Sequence, residues 1–360
     1  MLPFSPPTQS LPPPETSRRI TIIGAGGIVR DAHLPAYRKA GFPVDGICDL
    51  DRARARAVAT EFGIPCVYET SAEAFRNAPQ NTVFDIATPP AAFEELLELA
   101  PEEAAVLLQK PMGENLQQAR AIREVCRRKR LTAAVNFQLR FAPNILAARG
   151  LIEQGLLGEI HDMEVRITVF TPWRLWSFLE TLPRMEIPMH SIHYLDLVRS
   201  FLGNPRAIWA RTIRHPSAPK LASSRSSMIL DYGDMLWAKV STNHGHGFGQ
   251  RHQESYVKWE GTHGAVKTRL GLLMDYPVGV PDDLEYCALE EGRPPEWRSL
   301  PLKGTWFPDA FIGSMGSLMR FLEGSSSELP TAVEDAYHTM ELVEAAYRSN
   351  DSGGTTVAGD

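Results

Sequence analysis

The chain has 360 residues, of which 43% are hydrophobic and 22% are charged, and its formal net charge is −6 at pH 7. These values are typical of globular proteins with a sizeable core, and the length favours two domains. The negative charge argues against a nucleic-acid partner. No apolar run approaches the length of a membrane span, so we expect neither nucleic acid nor membrane among its partners.

The first 19 residues hold six prolines, which predicts a disordered tail over residues 1–19. The tail ends in Ser17-Arg18-Arg19, a pattern that also occurs in twin-arginine export signals. The alternative is that residues 20–24, ITIIG, form the first core strand and that the arginines are its solvated entry. The strand is favoured, because the apolar run leads directly into a glycine turn and a helix.

From residue 20 onward, buried-type strands alternate with helices. The predicted strands cover residues 20–24, 44–48, 83–87, 104–108 and 131–137, and the helices between them include residues 36–40, 52–62, 93–99 and 116–126. This alternation indicates parallel βαβ units and a doubly wound α/β sheet.

The second half changes character. After a helix near residues 144–153, the predicted strands cover residues 159–170, 207–213, 226–231, 235–242, 254–260 and 265–269, with helices at 188–202 and 332–348. Hairpin-like spacing, as in LDYGDML, predicts an α+β domain with a mostly antiparallel sheet and helices on one face. We therefore predict domains at residues 20–141 and 142–360.

The cysteines are scattered along the chain and include no CxxC pair. Their positions are Cys48, Cys66, Cys126 and Cys287. This pattern fits a reducing compartment, without a disulfide framework or a zinc knuckle, and it predicts a cytoplasmic protein.

A glycine turn, GAGGIV, follows the first strand. Gly24 permits a tight turn, and Gly26 lets the backbone approach a pyrophosphate at the helix N-terminus. Gly27 and Ile28 complete the candidate cofactor-binding turn. Val29 occupies the third glycine position, so the fingerprint is incomplete and a plain strand-to-helix turn is the alternative.

Asp49 lies at the tip of the next predicted strand. A carboxylate there would accept hydrogen bonds from the 2′-hydroxyl of an adenosine ribose and would repel a 2′-phosphate. We therefore expect NAD as the cofactor, with NADP disfavoured. Arg52 and Arg54 follow closely and would weaken that preference.

The combination of IIGAGGIVRDAHLPAY, GICDLD, DIATPP and QKPMGENLQQA resembles the glucose–fructose oxidoreductase / inositol dehydrogenase / MocA (Gfo/Idh/MocA) family of NAD(P)-dependent sugar and polyol dehydrogenases. The resemblance continues through VNFQLRFAP, HSIHYLDLVRSFLG and YVKWEGTHGAV. It implies an NAD-binding Rossmann domain, then a domain with a large open-faced sheet, and an active site between them. It also implies a homodimer or homotetramer formed through that sheet.

The family's lysine–proline motif falls on Lys110 and Pro111, with Gln109 where a glutamate is usual. Ligands of such sheets bind beyond the carboxyl ends of the strands, where Lys110 stands. Its ammonium would stabilise the alkoxide that develops as hydride leaves carbon, and Pro111 would restrict its conformation. The alternative is a solvated lysine at a strand end. Thr88 and Pro89 match the family's segment beside the cofactor ribose and nicotinamide.

The segment EIPMHSIHYLDLVRSFLG predicts a helix with one apolar stripe and with His190 and His193 on roughly the opposite face. From the residues alone, the pair could be a metal site of HxxH type, two structural histidines, or a catalytic face. The resemblance implies the third reading. It assigns the family's catalytic histidine to His193 and the family's aspartate to Met189, so the helper must be His190 or Glu186. We expect no metal.

Two further segments are candidates for substrate or metal contacts. TPWRLWSFL offers Trp173 and Arg174 for a sugar face and its hydroxyls, with an amphipathic interface segment as the alternative. HGHGFGQRH, residues 244–252, is interpreted as a loop of solvated histidines in preference to a metal site.

These residues leave three functions open. The first is an NAD-dependent dehydrogenase of a sugar or cyclic polyol, with Lys110, His193 and His190 as catalytic and substrate-binding residues. The second is a redox-neutral epimerase or glycoside-cleaving enzyme that retains its cofactor. The third is a non-catalytic NAD-binding regulator. Because Lys110 and His193 are both present, the first is favoured.

Overall fold

The computed structural model describes residues 5–357, which divide into two compact units. Residues 9–143 and 304–340 form the parallel-sheet unit. Residues 144–303, with 5–8 and 341–357, form the large-sheet unit. Across the described residues, no helix combines the length and the apolar character that crossing a membrane requires.

Six parallel strands form the sheet of the first unit: β1 (Ile20–Ile23), β2 (Val44–Cys48), β3 (Cys66–Val67), β4 (Val83–Ile86), β5 (Ala105–Leu108) and β6 (Thr132–Val135). Their order is β3-β2-β1-β4-β5-β6, which is that of a Rossmann fold. The predicted doubly wound sheet is confirmed. Three of the strands, β1, β4 and β5, are buried along their whole length, as their continuous apolar runs predicted.

Five helices cross between these strands: α1 (Leu34–Ala40), α2 (Arg52–Phe62), α3 (Ser71–Asn77), α4 (Phe93–Leu99) and α5 (Leu116–Arg128). A π-helical turn, Val29–His33, leads into α1. Side-chain caps begin several of the helices, since Asp51 accepts the Arg54 N–H at 3.1 Å and Asn115 accepts the Gln118 N–H at 3.0 Å. Because the strands are parallel, the β–α turns that carry the candidate cofactor residues lie at the carboxyl ends of the strands.

The large-sheet unit contains α6 (Pro143–Glu153), α7 (Ile192–Leu202) and eight strands. The strands are β7 (Ile160–Thr168), β8 (Ala207–Ile213), β9 (Arg225–Asp231), β10 (Trp237–Asn243), β11 (Glu254–Gly261), β12 (Gly264–Arg269), β13 (Asp283–Ala288) and β14 (Arg298–Ser299). Their order is β14-β13-β12-β11-β7-β10-β9-β8, and β7 and β10 are parallel whereas the other neighbours are antiparallel. The predicted mostly antiparallel sheet is confirmed, although β13 and β14 were not predicted.

This sheet has one buried face and one open face. Every second residue along β9 and β10 points inward and is buried, among them Met228, Leu230 and Val240. The opposite face exposes large apolar side chains, including Trp209 and Trp237, which are 59% and 48% exposed. The sheet is therefore open-faced.

Two helices complete the chain, α8 (Asp309–Glu323) and α9 (Val333–Ser352). The sequence did not predict α8, which carries two glycines and two serines in a stretch of low helix propensity. Phe311 and Met315 of α8 belong to the core of the parallel-sheet unit. A Cβ on Gly313 would lie 2.5 Å from Phe141 Cβ, so glycine permits this close packing.

The N-terminal segment carries no helix or strand from residue 5 to residue 19. The Ser5 backbone N–H donates to Gln154 Oε1 at 2.8 Å, and the Glu15 N–H donates to Glu323 Oε1 at 3.0 Å. Residues 1–4 of the predicted disordered tail lie outside the described residues.

Candidate active site

The glycine turn is shaped by contacts at the ends of three strands. Gly24 has a φ of +109°, and a Cβ there would lie 2.5 Å from the Ala87 carbonyl oxygen. Its N–H donates to the Cys48 carbonyl at 2.8 Å. A Cβ on Gly26 would have no heavy atom within 4 Å, so open space lies above that residue. The turn therefore requires glycine at residue 24, and at residue 26 no side chain covers the backbone.

Asp49 ties this turn to the end of β2. Its carboxylate accepts the Ala25 N–H at 2.6 Å, the Asp51 N–H at 2.8 Å and Arg54 Nη2 at 2.6 Å. Burial raises the pKa of Asp49, but the hydrogen bonds from Arg54 and the two amides outweigh it, so its pKa lies below the ordinary value of 3.8. The Asp49 side chain is 9% exposed and that of Arg54 is 49% exposed. The guanidinium is therefore the more accessible charge at this strand end.

A buried polar network lies within the parallel-sheet unit. His33 Nδ1 is 2.7 Å from Asp85 Oδ2, which also accepts the Tyr37 hydroxyl at 2.8 Å. His33 Nε2 lies 3.1 Å from Gln109 Nε2 and 3.3 Å from Asn136 Nδ2. A neutral His33 with the proton on Nδ1 satisfies every contact, because the ring donates to the carboxylate and accepts from the two amides.

This network reaches Lys110. Gln109 Oε1 accepts the Lys110 backbone N–H at 2.8 Å, and the Lys110–Pro111 peptide bond is cis. Burial lowers the pKa of the Lys110 ammonium from 10.5 to about 8. Gln109 acts as donor to His33 and acceptor for Lys110 at once, which a glutamate carboxylate could not do with this His33 tautomer. At the end of β4, Thr88 Oγ1 lies 3.4 Å from the Pro89 carbonyl oxygen.

The predicted histidine helix begins with a π-helical turn, Ile187–Ser191, and continues as α7. Residues Ile192–Arg199 of α7 are all buried, so exposure does not distinguish the predicted apolar stripe from the opposite face of this helix. His193 is 9% exposed, whereas His190 is half-buried and lies in the π-helical turn.

His190 belongs to an aromatic cluster. Its ring centroid lies 5.2 Å from that of Trp173 and 4.9 Å from that of His244, and Trp173 lies 5.4 Å from His244. Arg174 is exposed, next to Trp173 in the chain. The structure thus brings together Trp173 and His190, two of the predicted substrate-binding residues, with a third ring that the sequence did not single out.

The prediction that residues 244–252 form a loop of solvated histidines is wrong for His244. Its side chain is 1% exposed, although His252 at the other end of the segment is exposed. The signal lay in the strand before it, because Ala238, Val240 and Thr242 are buried at period two and His244 continues that series.

Glu186 is a fully buried carboxylate at the start of this region. Ser191 Oγ donates to its Oε1 at 2.8 Å, Ser226 Oγ donates to its Oε2, and His244 Nε2 lies 3.5 Å from Oε1. Burial raises the pKa of Glu186, but the His244 ring and the two hydroxyls outweigh it, so its pKa lies below 4.5. Glu186 is therefore an ionised group beneath the aromatic cluster.

The HxxH alternative finds no support in the geometry. Within residues 5–357, no three or more histidine, cysteine, aspartate or glutamate side chains are grouped so as to hold a metal ion. The predicted roles of Lys110, His190 and His193 remain predictions.

Two family models match the chain. One, GFO_IDH_MocA, is described as an oxidoreductase family with an NAD-binding Rossmann fold, and it covers residues 18–137. The other is described as the GFO/IDH/MocA C-terminal domain, and it covers residues 145–267. Together they account for more than half of the chain.

Several proteins of similar length are related to the chain. The D-apiose dehydrogenase of Paraburkholderia graminis is 27% identical over 347 residues, covering 93% of this chain and 88% of the relative. The D-apiose dehydrogenase of Rhizobium rhizogenes is 26% identical, covering 89% and 91%. A D-xylose 1-dehydrogenase (NADP(+)) of Haloferax volcanii is 23% identical, covering 92% and 97%.

Solved structures show the same fold. An oxidoreductase from Agrobacterium radiobacter, in complex with NAD+, L-tartaric acid and magnesium, has a TM-score of 0.78 at 23% identity and covers 94% of this chain and 98% of its own. A levoglucosan dehydrogenase in complex with NADH and levoglucosan has a TM-score of 0.78 at 18% identity, with the same coverage.

Proposed function

The chain belongs to the GFO/IDH/MocA family of oxidoreductases with an NAD-binding Rossmann fold, and we propose that it transfers a hydride between a hydroxyl-bearing carbon of a sugar and a nicotinamide cofactor. The family predicted from the sequence motifs is confirmed. The observation that carries the proposal is the full-length similarity to proteins named as sugar dehydrogenases, combined with a half-buried lysine at the carboxyl end of β5.

The residues of the glycine turn fit a dinucleotide. A Cβ on Gly26 would occupy the open space above the turn, which glycine leaves for a diphosphate at the start of a helix. Gly24, Gly26, Gly27 and Ile28 would hold the diphosphate, and Asp49 the adenosine ribose. When bound, the nicotinamide ring accepts the hydride.

Lys110 would act on the substrate hydroxyl. Its ammonium would donate a hydrogen bond to the hydroxyl oxygen and stabilise negative charge there as the C–H bond breaks. Because its pKa is about 8, the ammonium form predominates at neutral pH, and the proton can still be released. His193, with His190 as helper, would take up the hydroxyl proton. Thr88 and Pro89 would line the cofactor side.

For the cofactor, we propose NAD as the preferred form, with NADP also accepted. Asp49 is ionised and would repel a 2′-phosphate. The half-exposed Arg54 guanidinium is paired with Asp49 and offers a positive charge at the same strand end. This arrangement supports a preference for NAD that is weaker than an unpaired carboxylate would give.

For the substrate, we propose a pentose-sized sugar. The three relatives of similar length are named for D-apiose and D-xylose. Trp173 would pack its indole face on the sugar C–H surface, and Arg174 would contact hydroxyls. We further propose a cytoplasmic homodimer or homotetramer, in which the open face with Trp209 and Trp237 is covered by a second copy.

The test is an NADH absorbance assay with a panel of sugars that includes D-apiose, D-xylose and cyclic polyols, each with NAD and with NADP. We expect net reduction of NAD with at least one pentose. Tightly bound cofactor that survives purification, without net NADH formation on any sugar, would favour a redox-neutral enzyme. Absence of both turnover and bound cofactor would favour a regulator.

A further inference from the structure

Asp85 lies inside β4 and is a fully buried carboxylate of the parallel-sheet unit. Its Oδ2 lies 2.7 Å from His33 Nδ1 and accepts the Tyr37 hydroxyl at 2.8 Å. Tyr37 remains a hydroxyl donor, because burial and the Asp85 carboxylate raise its pKa well above the ordinary value of 10. A carboxylate accepts hydrogen bonds, so the proton of the His33 ring lies on Nδ1.

The side chain of Gln109 is oriented independently, from the other end of the network. Its Oε1 accepts the Lys110 backbone N–H at 2.8 Å, and a backbone N–H can only donate. The Gln109 amide nitrogen therefore faces His33, 3.1 Å from Nε2, and Nε2 is the acceptor. Asn136 Nδ2 offers the same Nε2 a second N–H at 3.3 Å. The contacts of Asp85 and of Lys110 thus require the same tautomer of His33.

Packing fixes the position of the His33 ring. His33 is the last residue of the π-helical turn Val29–His33 and is fully buried. Its ring centroid lies 5.0 Å from that of Phe311 and 6.0 Å from that of Tyr37. Rotating the ring by half a turn would place carbon atoms against Asp85 and Gln109, so one orientation is strongly favoured.

We propose that His33 is a positioning residue for Lys110: through the amide of Gln109, it fixes the direction of the Lys110 backbone N–H and thereby the point from which the lysine side chain extends. The contact involves only the backbone of Lys110, so it does not depend on the groups around the ammonium. The positioning rests on the hydrogen bonds alone, and its value for catalysis rests on the proposed function.

Two substitutions at His33 separate its two contacts. His33→Gln places a carbonyl oxygen roughly at Nε2, so it keeps the acceptor for Gln109 and loses the donor to Asp85. His33→Asn places an amide N–H roughly at Nδ1, so it keeps the donor to Asp85 and loses the acceptor for Gln109. Both variants lose the ring contact with Phe311. The matched control is Tyr37→Phe, which removes a hydrogen bond to the same carboxylate and leaves the contacts of Gln109 in place.

The first measurement is hydrogen–deuterium exchange of the Lys110 backbone amide in the full-length protein, read by NMR. The reference is the Gln109 backbone amide, one residue earlier, which donates to the Ile86 carbonyl at 2.9 Å. General loosening of this region accelerates both amides, whereas a misoriented Gln109 side chain accelerates the Lys110 amide alone.

We expect the ratio of the Lys110 rate to the Gln109 rate to rise by about fivefold or more in His33→Asn, because one hydrogen bond is lost. In His33→Gln and in Tyr37→Phe the ratio should stay within about twofold of the wild-type ratio. An equal rise in the two His33 variants would overturn the proposal, as would the absence of a rise in His33→Asn.

The second measurement uses the wild-type protein alone. The tautomer of His33 is read from long-range 1H–15N couplings of 15N-labelled histidine, with the ring assigned through its bonds to the His33 backbone. We expect a proton on Nδ1 and none on Nε2 at neutral pH. A ring that carries its proton on Nε2 would contradict the proposal even if neither His33 variant folds.

These outcomes are separable from that of the proposed function, because neither measurement needs a sugar or a cofactor. If no sugar is oxidised, the proposed function fails while the exchange ratio and the tautomer still decide whether His33 positions Lys110. If a sugar is oxidised, His33→Asn should lower kcat by about tenfold with nearly unchanged NADH affinity, whereas His33→Gln and Tyr37→Phe should keep kcat within about threefold. A wild-type kcat in His33→Asn would mean that His33 has only a structural role.

Discussion

Gln109 accepts the backbone N–H of Lys110 at 2.8 Å with its carbonyl oxygen, while its amide nitrogen lies 3.1 Å from His33 Nε2. Both ends of one side chain are thus engaged, one by the candidate catalytic lysine and the other by a buried imidazole. The family's usual glutamate would have no N–H to offer His33.

We therefore predict that Gln109→Glu destabilises the protein by about 1–3 kcal/mol, since a buried donor is replaced by a charged acceptor facing His33 and Asp85. Urea denaturation at pH 7.5 measures the change. Gln117→Glu, an exposed glutamine on α5, is the matched control and should alter stability by less than about 0.5 kcal/mol. Equal stability of Gln109→Glu and wild type would mean that the contact of the Gln109 amide nitrogen with His33 Nε2 adds nothing measurable to stability.

Lys110→Ala should lower kcat by about a hundredfold or more while NADH binds with nearly unchanged affinity, because the ammonium acts on the developing alkoxide. Stopped-flow turnover and NADH fluorescence titration measure the two quantities. The alkaline limb of the wild-type kcat profile, expected near pH 8, should disappear with the lysine. If the variant keeps most of its turnover, Lys110 has no catalytic role and is only a lysine at the end of a strand.

The lowered pKa of Lys110 also predicts a pH-dependent stability. Between about pH 8 and pH 10.5 the folded protein binds fewer protons at this group than the unfolded chain, so its stability contribution rises with pH. The Lys110→Met variant should therefore be more stable than wild type by about 1–3 kcal/mol at pH 7, and this advantage should be smaller at pH 9.5. Lys220→Met, at a lysine that is 76% exposed, is the control and should show no such trend.

The Asp49–Arg54 pair predicts how cofactor choice responds to substitution. Wild-type kcat/KM should favour NAD over NADP by about tenfold, which corresponds to 1.4 kcal/mol. Asp49→Ala should erase most of that ratio, because it removes the repulsive carboxylate and frees the guanidinium. Arg54→Ala should increase the ratio by weakening NADP use. If Asp49→Ala leaves the ratio unchanged, Asp49 only holds the glycine turn through the Ala25 N–H.

The two histidines of the π-helical turn and α7 should differ in kinetics. His193→Ala is expected to abolish most alcohol oxidation and to remove the ionisation between about pH 6 and 8 from the kcat profile, as loss of a general base would. His190→Ala should act on KM or on the position of that ionisation. The reverse pattern would place the base at His190, the more exposed ring.

The parallel sheet and its glycine turn could be predicted because each depends on residues close together in the sequence. A buried strand can be recognised from a short apolar run such as ITIIG. The position of Asp49 can likewise be recognised, because it directly follows the apolar run of β2. The polar network of His33, Asp85 and Gln109 could not be predicted, since its members lie on three separate elements and meet only in the fold. Each of them alone resembles an ordinary polar residue near a strand or helix.

Two misses have specific physical causes. Helix α8 has glycine at residues 313 and 316, which lowers helix propensity but lets the helix approach Phe141, so tertiary packing overrides the local preference. His244 follows the last residue of β10 and continues its inward period, a signal that the glycines around it obscured. Of the three rings in the aromatic cluster, Trp173 and His190 were candidates from the sequence, whereas His244 was assigned to a loop of solvated histidines.

The position of α8 has a consequence for how the protein is made. The core of the parallel-sheet unit contains Phe311, Met315 and Leu318, which are synthesised more than 150 residues after the end of β6. A ribosome that has translated only residues 1–143 holds a chain whose apolar residues around Ile20 and Tyr37 still lack these partners. The nucleotide-binding unit can therefore complete its core only late in translation, and residues 20–141 expressed alone should be prone to aggregate.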